Sequence, residues 1–237
     1  MNTHQDSVPV YINNYNRLTW PRKMAEYLSQ IPNCQVVIVD NASSYPPLLN
    51  WYESCPCRVV RLRENLGPYA PWQSHLVEQD ACEFYIVTDS DLDLDRVPLD
   101  LLTRLRKGLE DHPGAIKCGL SLEIADLERS DFPLREQVVR WEQQFWLRPL
   151  GDGFFDADLD TTFALYHQRR DLGRFLGPAL RADRPYTARH LPWYLSASTL
   201  TDEDRYYLQH YRRFIGVSWS ERTRDLLLPA SRGAAEA

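Results

Sequence analysis

The stretch Glu83-Phe84-Tyr85-Ile86-Val87-Thr88-Asp89-Ser90-Asp91 constrains this chain more than any other. It begins as an apolar run of β-branched and aromatic residues of strand length, and it stops at two carboxylates spaced i, i+2. In a strand that spacing puts both side chains on one face, and at a strand's end it aims them together. Two hard oxygen donors held this way suit a divalent cation that also takes phosphate oxygens and water. Ligands of open α/β sheets gather at the carboxyl ends of the strands, so position and chemistry agree. The plain alternative is a solvated Asp pair in a loop, and the following Leu92-Asp93-Leu94-Asp95 reads as a polar turn with a helix start.

Further strand-length runs surround this one, at residues 8–13, 35–39, 58–62 and 116–124. Gln35-Val36-Val37-Ile38-Val39 is apolar without alternation, the mark of a strand covered on both faces. Helical spacing fills the intervals. Pro21 opens a helix with Met24, Leu28 and Ile31 in one stripe, and a proline-broken helix follows around Leu48 to Tyr52. Leu102, Leu105 and Leu109 form another stripe, stopped by His112-Pro113-Gly114, and Leu134, Val138, Trp141 and Phe145 fall on one helix face. The alternation predicts an α/β protein with a mostly parallel central sheet and helices on both faces.

After Pro149 the texture changes. One or two strands are expected between Phe154 and Tyr166, with Asp156, Asp158 and Asp160 among them. Residues 169–189 read as basic and loop-like. Thr201-Asp202-Glu203-Asp204 reads as a capping box that starts a last helix through about Arg213, and residues 231–237 as a frayed tail with a short antiparallel region before it.

The net charge of -6 argues against a broad nucleic-acid footprint. No run reaches transmembrane length, and the polar start Met1-Asn2-Thr3-His4-Gln5-Asp6-Ser7 is not a signal peptide. The five cysteines are odd in number, and Cys55-Pro56-Cys57 lacks the two-residue spacer of a zinc knuckle or redox pair. They read as reduced thiols of a cytoplasmic protein.

Four loops follow four successive strands: Asn13-Asn14-Tyr15-Asn16-Arg17, Val39-Asp40-Asn41-Ala42-Ser43, Glu64-Asn65-Leu66-Gly67 and Asp89-Ser90-Asp91. Their order and spacing resemble the nucleotide-sugar half of a GT-A-fold glycosyltransferase, most like glycosyltransferase family 2. The likeness spans residues 8–95 and continues more loosely to about 190. It implies one GT-A-type domain over residues 1–237, with a nucleotide-sugar half at 8–95 and an acceptor-side half at 96–230.

The resemblance also implies roles. Tyr15, with Asn14 and Arg17, would line the nucleobase pocket. Asp40 would accept hydrogen bonds from base or ribose, and Asn65 and Gly67 would let the backbone close over the nucleotide. Asp91 would bind Mn²⁺ or Mg²⁺ directly, with Asp89 on the ribose or the ion's water shell. His190-Leu191-Pro192-Trp193 is similar to, but shorter than, a motif of one retaining family, which implies His190 as a third metal ligand and Arg189 on the diphosphate. A loop His beside a packed Trp is the alternative there. The implied donor is a UDP-sugar, by family habit, and the implied acceptor a carbohydrate or a glycolipid. A lipid-linked acceptor would need peripheral membrane contact, though no long basic amphipathic helix points to one.

An inverting transfer needs a base for the acceptor hydroxyl. The fold implied by the resemblance favours Asp160, at the head of an antiparallel strand, then Asp158, with Glu123 third. The Glu-Asp pair usual in family 2 is missing, so a retaining reaction stays open. Trp146, Trp193 and Tyr194 are candidates for stacking on an acceptor. Two rival readings are a nucleotidyltransferase, disfavoured by the lack of a Gly-rich loop after the first strand, and a catalytically silent binding domain of the same fold.

Overall fold

The computed structural model describes residues 7–80, 82–171, 177–211 and 219–228. In chain order the strands are β1 (Val8–Asn14), β2 (Cys34–Asp40), β3 (Arg58–Arg61), β4 (Phe84–Asp89), β5 (Leu92–Asp93), β6 (Lys117–Leu122), β7 (Phe154–Asp156), β8 (Phe163–His167) and β9 (Ala179–His190). The helices are α1 (Thr19–Leu28), α2 (Pro46–Tyr52), α3 (Ala70–Gln73), α4 (Leu76–Asp80), α5 (Leu101–Asp111), α6 (Arg135–Glu142), α7 (Gln168–Asp171), α8 (Asp202–His210) and α9 (Trp219–Leu227).

The sheet order is β3-β2-β1-β4-β8-β6-β9-β5, with β7 pairing β9. The first four strands are parallel. β8 enters antiparallel between β4 and β6, so its start lies beside the end of β4, with Thr88 opposite Phe163. This is the expected mostly parallel, helix-covered sheet with an antiparallel insertion.

Both faces of the central strands are buried, which explains why their sequence shows no alternation. On β1, Val10 and Ile12 belong to one core cluster, with Met24 and Leu28 of α1 and Leu105 of α5. Tyr11, between them, belongs to the opposite cluster with Val37, Val87 and Leu76. Each such fully buried aliphatic side chain contributes about 1.5–3 kcal/mol of transfer free energy. The parallel strands are thereby locked in register, and their carboxyl ends share one rim.

Three features depart from expectation. Residues 179–190 are not loop but the twelve-residue strand β9, because that segment finds edges to pair with on β6, β7 and β5. Its register with β6 shifts after Leu120, where residues 183–186 leave the ladder. Trp141 does not share the buried face of Val138: it is 49% exposed whereas Val138 is fully covered. Leu92-Asp93 does not lead into a helix directly but forms the short strand β5. The Thr201 capping box is present, Thr201 Oγ1 accepting from Asp204 N–H at 3.1 Å and Thr201 N–H donating to Asp204 Oδ2 at 2.9 Å. Arg213 and residues 231–237 lie outside the described residues.

Candidate functional site

The strand-end loops open on one cavity of about 740 Å³. Its first side is built by the loops after β1, β2 and β3, which are sewn together by asparagines. Asn41 donates through Nδ2 to Asn13 Oδ1 at 2.5 Å and to the Gly67 carbonyl at 3.1 Å, and accepts from Leu66 N–H at 3.0 Å. Asn65 Oδ1 accepts from Gly67 N–H at 2.9 Å, and Gly67 turns with φ +77°, a conformation that favours glycine. Asn13, Asn14, Tyr15, Arg17, Asn41, Asn65 and Gly67 all line the cavity. Asn14 is fully buried and its Oδ1 makes no hydrogen bond.

Helix α8 closes the outer edge of this side. Arg17 is ion-paired with Asp204 and lies over the rings of Trp20, at 4.1 Å, and Tyr207, at 3.9 Å. Tyr15 Oη donates to the His210 carbonyl at 3.0 Å. Glu203 accepts from the backbone N–H groups of Leu18 and Thr19, at 3.0 and 3.1 Å. A buried arginine with that many neighbours is a structural post as well as a wall.

Asp89, Ser90 and Asp91 form the foot of the cavity with Asp158, Asp160, Thr161 and His190. Asp89 N–H donates to the Thr162 carbonyl at 3.0 Å, and Thr161 Oγ1 donates to the Asp89 carboxyl at 3.1 Å. Loss of water, then the negative charge of Asp91 and Asp160, pushes the Asp89 carboxyl well above the usual carboxylate range. The end of β9 delivers His190: Leu92 pairs with His190, and Leu191 N–H donates to the Asp91 carbonyl at 2.9 Å. His190 Nε2 stands 3.6 Å from Asp91 Oδ1, and its ring packs on Trp193 at 4.6 Å.

Among the described residues no three His, Cys, Asp or Glu side chains form a ready-made ion cage. The donor chemistry nevertheless fits a divalent cation shared with a ligand. Asp91 Oδ1 is buried without a hydrogen bond, as is His190 Nδ1, and the charges of Asp89 and Asp91 repel one another. An Mg²⁺-like ion takes one or two carboxylates and completes its shell with phosphate oxygens and water.

Asp158 and Asp160 are exposed on the cavity wall. Asp160 Oδ1 accepts from Thr162 N–H at 3.0 Å, which fixes that carboxylate at the head of β8. The remaining wall comes from α6 and the turn after it, with Trp141, Glu142, Gln144 and Phe145, and from Arg181 of β9. Glu142 and Arg181 are a buried ion pair. Burial pushes the Glu142 carboxyl up to about 7, against the pull of Arg181.

Five expected residues, Asp40, Arg189, Tyr194, Trp146 and Glu123, do not line the cavity. Asp40 is fully buried, and its carboxylate accepts from Tyr52 Oη at 3.1 Å and Ser43 N–H at 3.3 Å. Arg189 Nε donates to Asp126 Oδ2 at 2.7 Å, on the far side of β9 from His190, as strand alternation requires. Tyr194 Oη also donates to Asp126, at 2.6 Å, and Trp146 packs edge-on against Phe155, so only Trp193 of the three proposed stacking rings lines the cavity. Glu123 is held by Arg184 at 2.8 Å.

Sequence reading missed Asn13 and Asn41, although both lie in the quoted loops, because an Asn at a strand end signals a turn as readily as a site. It missed Trp141 and Glu142 as site residues, and it read Arg181 at most as part of a solvated basic face, whereas Arg181 is buried. Helical spacing assigned Trp141 to the core, and nothing local marks a Glu–Arg pair split between a helix and a distant strand.

No family model matches the chain, and no curated protein matches it. Solved structures do. The crystal structure of GalNAc-T7 with UDP, GalNAc and Mn²⁺ aligns with a TM-score of 0.53 at 10% identity, over 80% of this chain and 44% of that one. S. aureus TarS aligns with a TM-score of 0.46 at 12% identity, over 94% of this chain and 42% of that one. A CMP:2-keto-3-deoxy-manno-octonic acid synthetase complexed with CTP aligns with a TM-score of 0.38 at 11% identity, over 51% of this chain and 55% of that one. The chain spans about half, or less, of each of those chains. No helix among the described residues is long and apolar enough to cross a membrane. Strand order, the antiparallel β8 and the likeness to GalNAc-T7 agree on one result: the chain has a GT-A-like α/β fold.

Proposed function

We propose that this protein is a metal-dependent glycosyltransferase that moves a sugar from a nucleotide-diphosphate donor, a UDP-sugar first, to an acceptor hydroxyl on a carbohydrate or glycolipid. The observation that carries the reading is the corner formed by Asp89, Asp91 and His190 at the foot of a cavity large enough for a nucleotide sugar. Support comes from the asparagine-bound loops along the same cavity and from the GT-A-like fold.

In this reading Asn14, Tyr15, Asn65 and Gly67 hold the nucleoside, with Asn14 Oδ1 offering an acceptor to it. Arg17 keeps that loop closed against α8. Asp40 acts from behind, fixing Tyr52 and the loop after β2. Asp91 and His190 are the ligands of Mn²⁺ or Mg²⁺, and Asp89 reaches the ribose or the ion's water. When bound, the cation stabilises the charge that builds on the departing diphosphate as a Lewis acid. Asp160 takes the proton of the attacking hydroxyl, with Asp158 second, which makes the transfer inverting. Arg189 guards the back of β9 through Asp126 and reaches a diphosphate only by leaving that partner.

Calorimetric titration of UDP, GDP, dTDP, ADP and CMP, with and without Mn²⁺, tests the reading. One diphosphate binding far more tightly with metal, and losing that gain in Asp91→Ala, is the expected result. Binding of CMP alone without metal overturns the donor class, and no binding at all points to a silent domain.

A further inference from the structure

Trp141 is half exposed although it sits beside the cavity, and its ring meets Phe145 edge-on, with centroids 6.1 Å apart and planes at 77°. With 49% of its surface exposed, the indole keeps a large part of its ring accessible. The next residue, Glu142, is 2% exposed and closes α6 against Arg181 of β9. Arg181 in turn lies over the Phe145 ring at 3.9 Å and donates through Nε to the Asp158 carbonyl at 2.7 Å. Glu142 pairs with Arg181 through Oε1. Trp141, Phe145, Arg181, Glu142 and Asp158 are therefore one mutually braced wall, built from elements separate from the asparagine loops.

An accessible aromatic ring beside a fixed carboxylate is the complement of a sugar ring. A pyranose offers an apolar C–H face for stacking and a rim of hydroxyls that donate to carboxylate oxygens. The charge of the wall narrows the class. Among the described residues of this wall, the Arg181 guanidinium is paired with Glu142, while Asp158 and Asp160 present exposed carboxylates to the same cavity. An anionic sugar would meet net repulsion there.

We propose that the wall made by Trp141, Glu142, Phe145 and Arg181 is a subsite for an uncharged saccharide. As the acceptor end of the cavity it rests on the glycosyltransferase reading, whereas saccharide binding itself does not.

Saturation-transfer NMR on the full chain tests it, using methyl β-D-glucopyranoside, methyl α-D-mannopyranoside and methyl β-D-glucuronide, each with and without UDP and Mg²⁺. The expected result is transfer to at least one neutral glycoside and none to the glucuronide. Trp141→Ala, a change at an exposed position, then weakens the neutral glycoside about tenfold, and Trp141→Phe restores most of it. Engagement of no neutral glycoside, equal binding of the glucuronide, or unchanged binding in Trp141→Ala overturns the proposal. Titration of UDP with Mg²⁺ on the same samples judges the other reading separately. If UDP fails to bind while a neutral glycoside still depends on Trp141, the subsite stands and the glycosyltransferase reading falls.

Discussion

His190 Nε2 faces Asp91 Oδ1 across 3.6 Å, brought there by the two-residue strand β5 pairing with the last residues of β9. Leu92 opposes His190 and Leu191 N–H donates to the Asp91 carbonyl at 2.9 Å, so the backbones of Asp91 and His190 are neighbours. Leu92 itself is buried in the main core cluster, which anchors this short pair.

If that corner holds the cation, His190→Ala and Asp91→Asn each weaken binding of UDP with Mn²⁺ tenfold or more, roughly 1.4 kcal/mol, and leave metal-free binding unchanged. Isothermal titration with and without the ion reads both. Equal losses in the absence of metal would instead mark them as packing residues.

Asp160→Asn keeps the oxygen that accepts from Thr162 N–H, so the start of β8 keeps its shape. As the proton acceptor, its loss lowers UDP release from the bound donor by about 10²–10⁴-fold with nucleotide affinity unchanged. A drop in Asp158→Asn alone moves the base to Asp158, and a drop in neither favours a retaining reaction.

Asn41 joins three loops through one side-chain amide. Asn41→Ala leaves Leu66 N–H and the Asn13 carboxamide oxygen unpaired in a part-buried setting, at a cost of about 2–3 kcal/mol. Urea unfolding measures it, and a shift below 0.5 kcal/mol or so would show that the loops hold without this amide.

Lys117 of β6 is buried, and desolvation brings its ammonium down to about 8. Between that value and the unfolded value of about 10.4 the unfolded chain binds more protons, so this group makes stability rise with pH and costs stability below about 8. The difference in unfolding free energy between wild type and Lys117→Met should therefore change by about 3 kcal/mol over that window, in favour of wild type as pH rises. Tyrosines and cysteines that titrate nearby cancel in the difference. A flat difference would show that Lys117 keeps its ordinary affinity for protons.

The α/β class, the strand ends and most of the first half of the cavity were legible in the chain. Residues 8–95 alternate strand and helix locally, and each site loop directly follows its strand, so sequence order and spatial order coincide. The second half lacks that property. β8 and β9 are placed by non-local pairing, and 179–190 resembles a loop because its central residues leave the ladder and its polar positions face partners elsewhere: Arg181 toward Glu142, Arg184 toward Glu123, Arg189 toward Asp126.

What the sequence determined by itself is therefore the Asp89–Asp91 strand end and the parallel sheet that presents it, since hydrophobic runs and turn residues act over a few positions. Only the tertiary structure decided that Asp40 and Arg189 are spent on internal partners and that Trp141 and Glu142 reach the cavity. Those outcomes depend on register between distant strands and on which face of a helix finds the core. Both are settled by packing of the whole chain, and no local pattern encodes them.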